Sequence, residues 1–192
     1  MIFIIFNTVF KSIEAMRYLT SILFALLAIC SWSSFNTVQN QKNPLYGKIF
    51  REINEIPGLA SYAHASGAVI DASKSESGDY RFAAGYYTSD KNGICILNEL
   101  LDDKENGKGQ VKYKILDTIN IRKLKANEQL SLCNCRIGNK FDSEIVAISV
   151  VEEDKEYFNK TLKAWRLNTK TGKIDPIQNT KTINCANEGY GI

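Results

Sequence analysis

Cysteine, histidine and carboxylate side chains are where this chain could do chemistry, and the cysteines are the most informative. There are five: Cys30, Cys95, Cys133, Cys135 and Cys185. If Cys30 leaves with an export signal, four remain, and an even count in an exported chain points to disulfides with three possible connectivities. Within one strand, Cys133 and Cys135 would share a face, with Cα atoms roughly 6.6 Å apart at a rise of about 3.3 Å per residue. Their Cβ vectors would then run parallel, which disfavours a bridge between them. Each is therefore expected to reach outward, one to Cys185 and the other to Cys95. A four-cysteine zinc site normally shows two close pairs, and this chain has only one. A redox centre would prefer Cys-x-x-Cys opening a helix. Buried free thiols, packing as small apolar groups, are the remaining alternative.

His64 is the single histidine, so a multi-histidine metal site is excluded and any nucleophilic triad would have to use it. Ser61, Tyr62 and Ser66 stand near it, but there is no Gly-x-Ser-x-Gly and no His-Glu-x-x-His. A surface or packed histidine is the expectation. Dispersed carboxylates need no local motif, because paired acids can come from different strands. Asp71, Asp79, Glu99 and Asp117 are the candidates, and Asp117 stands out because it falls where an inward apolar residue is due. Residues 102–107 have acidic side chains at alternate positions and then glycine, but Lys114 occupies the place where a calcium loop needs its closing glutamate. A solvated turn is expected there. Tyr80, Phe82, Tyr86 and Tyr87 could line a pocket for a sugar or an apolar ligand, but ordinary core and cross-strand packing is the expectation. Asn159-Lys160-Thr161 matches a glycosylation acceptor, a short pattern that chance often supplies.

The elements that must position these residues begin with the export signal. Arg17 precedes the apolar run Leu19–Ile29, which small residues follow. That is the layout of a secretory signal, and the run is far shorter than the roughly 20 residues needed to span a bilayer. Met16-Arg17-Tyr18 makes an ordinary basic start, so translation is expected to begin at Met16 as an alternative to Met1. Residues 27–30 resemble the lipobox of bacterial lipoproteins, with Cys30 as the lipidated residue, but Ile29 stands where Gly, Ala or Ser is usual. Cleavage after Ser33 is the competing reading, making residues 1–33 the signal region. Residues 34–43 are polar and aperiodic and read as a tether.

Residues 44–192 have the length of one domain. The whole chain carries a formal net charge of +3, too balanced to argue for nucleic acid or an anionic membrane surface. Asn43 and Pro44 suit a helix start, and Leu45, Ile49, Ile53 and Ile56 recur at helical spacing before Pro57-Gly58. One amphipathic helix is predicted over Pro44–Glu55. From Ser66 onward the period becomes two. Residues 80–88 and 94–101 flank Asp90-Lys91-Asn92-Gly93, a hairpin signal in which Gly93 is able to take positive φ. Val111, Tyr113, Ile115, Ile119 and Ile121 alternate with polar residues as a half-buried strand, and residues 130–137 form another strand candidate. Residues 145–151 are nearly all apolar, as in a central strand covered on both faces. Thr169-Lys170-Thr171-Gly172 is a second hairpin turn. The fold predicted is mainly β: an antiparallel sandwich or barrel of about seven or eight strands with the N-terminal helix packed on it.

Two functions are consistent with this pattern. The first is an exported, periplasmic or extracellular β-domain that binds an envelope or extracellular partner without catalysis. The second is an exported hydrolase using dispersed carboxylates. No cofactor and no metal is called for by any motif, no nucleic acid by the charge, and membrane attachment would come only through a lipidated Cys30.

Overall fold

The computed structural model describes residues 43–71, 79–101 and 111–191. The expected signal region 1–33 with the lipidation candidate Cys30, residues 34–42 of the expected tether, and residues 102–107, where a solvated turn is expected, lie outside the described residues. Thirteen strands stand among the described residues, all paired antiparallel in three sheets. In chain order these are β1 (Ile49–Phe50), β2 (Ala63–Val69), β3 (Phe82–Thr88), β4 (Asn92–Leu101) and β5 (Lys112–Arg122), then β6 (Glu128–Leu132), β7 (Cys135–Ile137), β8 (Lys140–Asp142) and β9 (Ile145–Val150). The last four are β10 (Tyr157–Phe158), β11 (Thr161–Asn168), β12 (Lys173–Ile177) and β13 (Ile183–Ala186). The sheet orders are β1-β5-β4-β3-β2, β12-β11-β9-β6 and β10-β13-β7-β8, and all three are open.

Alternation of side chains sets the layers. Cys95 and Leu97 of β4 pack with Val146 and Ile148 of β9 in one core between the five-stranded sheet and the β9-centred sheet. The opposite face of β4, Ile94 and Ile96, is covered by Phe50, Ile53, Ile56 and Leu59. The opposite face of β9, Ile145 and Ala147, meets Cys135, Ile183 and Cys185 of the third sheet. Both central strands are thus apolar on both sides because both sides are covered, as the composition of residues 145–151 implies.

The predicted helix over Pro44–Glu55 is not what forms. Residues 44–47 make a turn, β1 follows, and only Ile53–Glu55 winds into a single 3-10 turn. Asn43 Oδ1 accepts from the Leu45 amide at 3.0 Å, Gly47 sits at φ +79, and the Gly47 amide donates to Ile115 O at 2.8 Å. A twelve-residue helix is marginal alone, and here β5 offers the backbone an edge to pair with. Ile49, inward in the helical reading, is 57% exposed, while Phe50, Ile53 and Ile56 carry the burial.

Two further expectations change. Residues 130–137 are not one strand but two, β6 and β7, in different sheets, broken at Cys133 with φ +58. Gly93 lies in β4 and is not among the positive-φ residues; its missing side chain matters instead because a Cβ there would come within 2.5 Å of the Tyr86 ring. Gly172, by contrast, has φ +66 at the β11–β12 hairpin, the expected bulge position.

Candidate functional site

The cysteines divide between two layers. Cys135 of β7 and Cys185 of β13 are directly opposed and form a disulfide, spanning 50 residues of chain. Cys95 and Cys133 are buried free thiols in the core between the two larger sheets. The left-handed backbone at Cys133 is why: it turns Cys133 and Cys135 into different cores, where a continuous strand would have put them on one face. Burial first, and then Asp71 beside Cys133 and Cys133 beside Cys95, pushes both up, Cys133 to about 12 and Cys95 further. Neither supplies a thiolate near neutrality.

Asp117 is a joint between sheets. The register of β4 against β5 slips between Leu97 and Asn98, pairing Leu97 with Asp117 but Asn98 with Ile115, so both Ile115 and Leu116 are buried. Past that bulge, Asp117 Oδ1 accepts from the Thr118 amide at 2.9 Å and the Asn43 side-chain amide at 3.3 Å. Its Oδ2 accepts from the Ile174 amide of β12 at 3.0 Å. Glu99 is bound to Arg81 at 3.0 Å and Lys114 at 3.1 Å. Burial pushes that carboxyl up, but the two cations together hold it below the ordinary value. Among the described residues no three His, Cys, Asp or Glu side chains are grouped to hold a metal ion. Asn159 is exposed, and its side chain is bonded to Tyr157 O and to Asn184.

The four aromatics of residues 80–88 separate by parity. Phe82 and Tyr86 point into the inner core, Tyr80 is half-buried, and Tyr87 projects from the outer face of the five-stranded sheet. On that outer face lies a cleft of about 590 Å³. Its floor follows from register: Gly67 opposes Gly85, and Val69, Ala83 and Asn98 form a cross-strand row. No side chain larger than alanine rises from β3 there until Tyr87. The His64 ring lies over Gly67, where a Cβ would meet Nε2 at 3.1 Å, and the Tyr87 ring lies over Gly85. His64 and Tyr87 meet edge to face at 5.4 Å, and Tyr113 stacks at 5.5 Å from Phe50. Burial, then the neighbouring Tyr113, Glu52 and Cys95, pushes the Tyr87 hydroxyl up to about 12, so it stays a neutral donor.

Asn98 is the polar group set deepest in this lining. It is 1% exposed, and its Oδ1 has no hydrogen-bond partner among the described residues. Arg51 and Glu52, of opposite charge, lie in the lining nearer solvent. Sequence reasoning singled out His64 and Tyr87 but missed Asn98. The signal was available, since Ile94, Ile96, Asn98 and Leu100 form one alternating row in which only Asn98 is polar. A second cleft, about 720 Å³, is lined by Asp71, Lys140, Phe141, Asp142, Glu144 and Arg166 among others; within it Arg166 pairs with Asp142 at 2.7 Å and with Glu144 at 3.2 Å. Compared with protein-family profiles, with curated proteins and with solved structures, the chain shows no match.

Proposed function

We propose that this chain is an exported, non-enzymatic binding module, with its three sheets stacked as a layered sandwich, that takes a small ligand on the outer face of the five-stranded sheet. The observation that carries the reading is the cleft itself: about 590 Å³, walled by His64, Tyr87 and Tyr113 and floored by glycine and alanine. Concave, mostly apolar sites with few convergent polar groups are the usual form of small-ligand sites. Asp117 supports binding over hydrolysis, because its oxygens are taken by backbone amides and Asn43 rather than held beside a second carboxylate. The Cys135–Cys185 bridge supports export, since disulfides persist in oxidising compartments. No helix among the described residues is long and apolar enough to cross a membrane.

The test is a fragment screen read by nuclear magnetic resonance, with the imidazole of the one histidine as reporter. Binders should shift His64, and Val69→Trp, which fills the cleft from an exposed position on β2, should abolish those shifts while leaving the circular dichroism unchanged. A screen in which no binder moves His64, or in which Val69→Trp changes nothing, would defeat the reading.

A further inference from the structure

Beyond the cleft, we infer that the free edge of β2 is a self-association surface: a second copy of this chain adds its own β2 there, antiparallel about a two-fold axis at Ala68, joining two five-stranded sheets into one. Backbone direction is the ground for it. The Ile70 amide donates to Phe82 O at 3.0 Å, and Ala68 opposes Ala84. Bonding alternates along an antiparallel ladder, so Ile70 and Ala68 turn their N–H and C=O towards β3, and Gly67 and Val69 turn theirs away. β2 pairs with β3 and ends the order of its sheet. Gly67 and Val69 are exposed, and none of their outward backbone groups has a partner among the described residues.

The other sheet edges are blunted. β1 and β10 have two residues each and β8 three. β12 carries Lys173, Asp175 and Pro176, and β6 is buried at four of its five positions. Short length, charge and proline are how sheets avoid joining edge to edge. β2 has seven residues with no proline and no Lys, Arg, Asp or Glu. Its one irregularity, the register shift between His64 and Ser66, lies before the stretch Ser66–Val69, which pairs regularly with β3.

Self-complementarity selects a second copy as the occupant. With the axis at Ala68, Gly67 of each chain faces Val69 of the other, and each such pair exchanges two hydrogen bonds, so every outward group of both residues is used. The exposed Val69 side chain then lies opposite a glycine, beside the His64 ring that covers Gly67. No Lys, Arg, Asp or Glu stands in the seam, so copy meets copy without like-charge repulsion. A seam this short buries little surface, which places it among weak, concentration-dependent contacts.

The test is sedimentation velocity and amide exchange on the natural bridged chain, from low micromolar to near-millimolar concentration. The sedimenting mass should rise from one chain towards two. The Gly67 and Val69 amides should exchange fast at dilution and slow as the chains pair, about twofold where half are paired, while Ala68, already bonded within the sheet, changes little. Val69→Pro removes one outward N–H at an edge position where proline is tolerated and should hold the chain monomeric. Val69→Thr keeps that N–H and should still pair. A dimer in which Gly67 and Val69 gain no protection overturns the inference, and so does one that survives Val69→Pro. Should Val69→Pro unfold, the concentration series on the natural chain decides alone. A chain monomeric throughout also overturns it, and protection of the two amides by an added extended peptide would then assign the edge to a donated strand instead.

Discussion

Glu128 shows how much a single side chain can report. It is buried at the start of β6, and Arg122 grips both its oxygens at 2.6 and 2.7 Å while the Lys125 amide donates to Oε2 at 3.0 Å. The Arg122 contact first, then the Lys125 amide, holds its carboxyl down at about 2. A value depressed in the folded state means stability present above the unfolded carboxylate value of about 4.3 and lost as pH falls from there towards about 2. Chemical melts between pH 5 and pH 2 should show that loss, and Glu128→Gln should show less of it while starting from lower stability. Asp117 makes a second residue-scale prediction. Asp117→Ala leaves the Thr118 and Ile174 amides without their acceptor, while the Asn43 side chain keeps Thr118 Oγ1 at 2.9 Å, so a loss of about 1–3 kcal/mol is expected in urea unfolding. A change within a few tenths would mean that water replaces the carboxylate. This residue was legible in the sequence as an anomaly, but whether it was a catalyst or a joint depended on which amides the fold brought to it.

At the scale of elements, the disulfide and the β3–β4 hairpin are the places where one change should be felt across a strand pair. The Cys135–Cys185 bridge pins β13 to β7, closing a loop of 50 residues. Restriction of the unfolded chain over such a loop is worth about 4 kcal/mol in the chain-entropy account, and measured values usually run to about 2–4 kcal/mol. Reduction, or Cys185→Ser, should therefore lower the melting temperature by several degrees, with loss beginning in the third sheet. The Cys95 and Cys133 thiols should resist labelling until the protein unfolds. Rapid labelling of Cys95 or Cys133 in the native state would contradict their burial. In the hairpin, Gly93→Ala should destabilise by about 1–3 kcal/mol, because the added methyl meets the buried Tyr86 ring rather than because the backbone needs glycine. Turn chemistry at Gly172 was readable from four residues. The break between β6 and β7 was not, since the residue type in Leu132-Cys133-Asn134-Cys135 that favours the left-handed region is Asn134, whereas Cys133 adopts it.

Across the whole molecule, stability should follow coverage. β4 and β9 are central strands buried on both faces, while β2 is an edge strand exposed along nearly its whole length. Native-state hydrogen exchange should be slowest at the β4 and β9 amides and faster by orders of magnitude along β2. Slow exchange in β2 would mean that its edge is paired with something in solution.

The sequence by itself determined the antiparallel β character, the β3–β4 and β11–β12 hairpins and the double coverage of β9, because alternation and turn residues are local properties that act within a few positions. It also carried Cys95, Cys133, Cys135 and Cys185 without saying which two would meet. Only the tertiary structure decided the rest. The apolar stripe of residues 45–56 became a turn, a short edge strand and one 3-10 turn because β5 presented unpaired backbone and an apolar face to it. The cysteines divided between two cores because one left-handed residue redirected the chain. The cleft exists because residues from four strands and one connecting segment, none remarkable in its own stretch, leave a flat gap beside Asn98 where the covering segment stops. Contacts between residues far apart in sequence fixed these outcomes, and no pattern confined to one segment records where another segment will end.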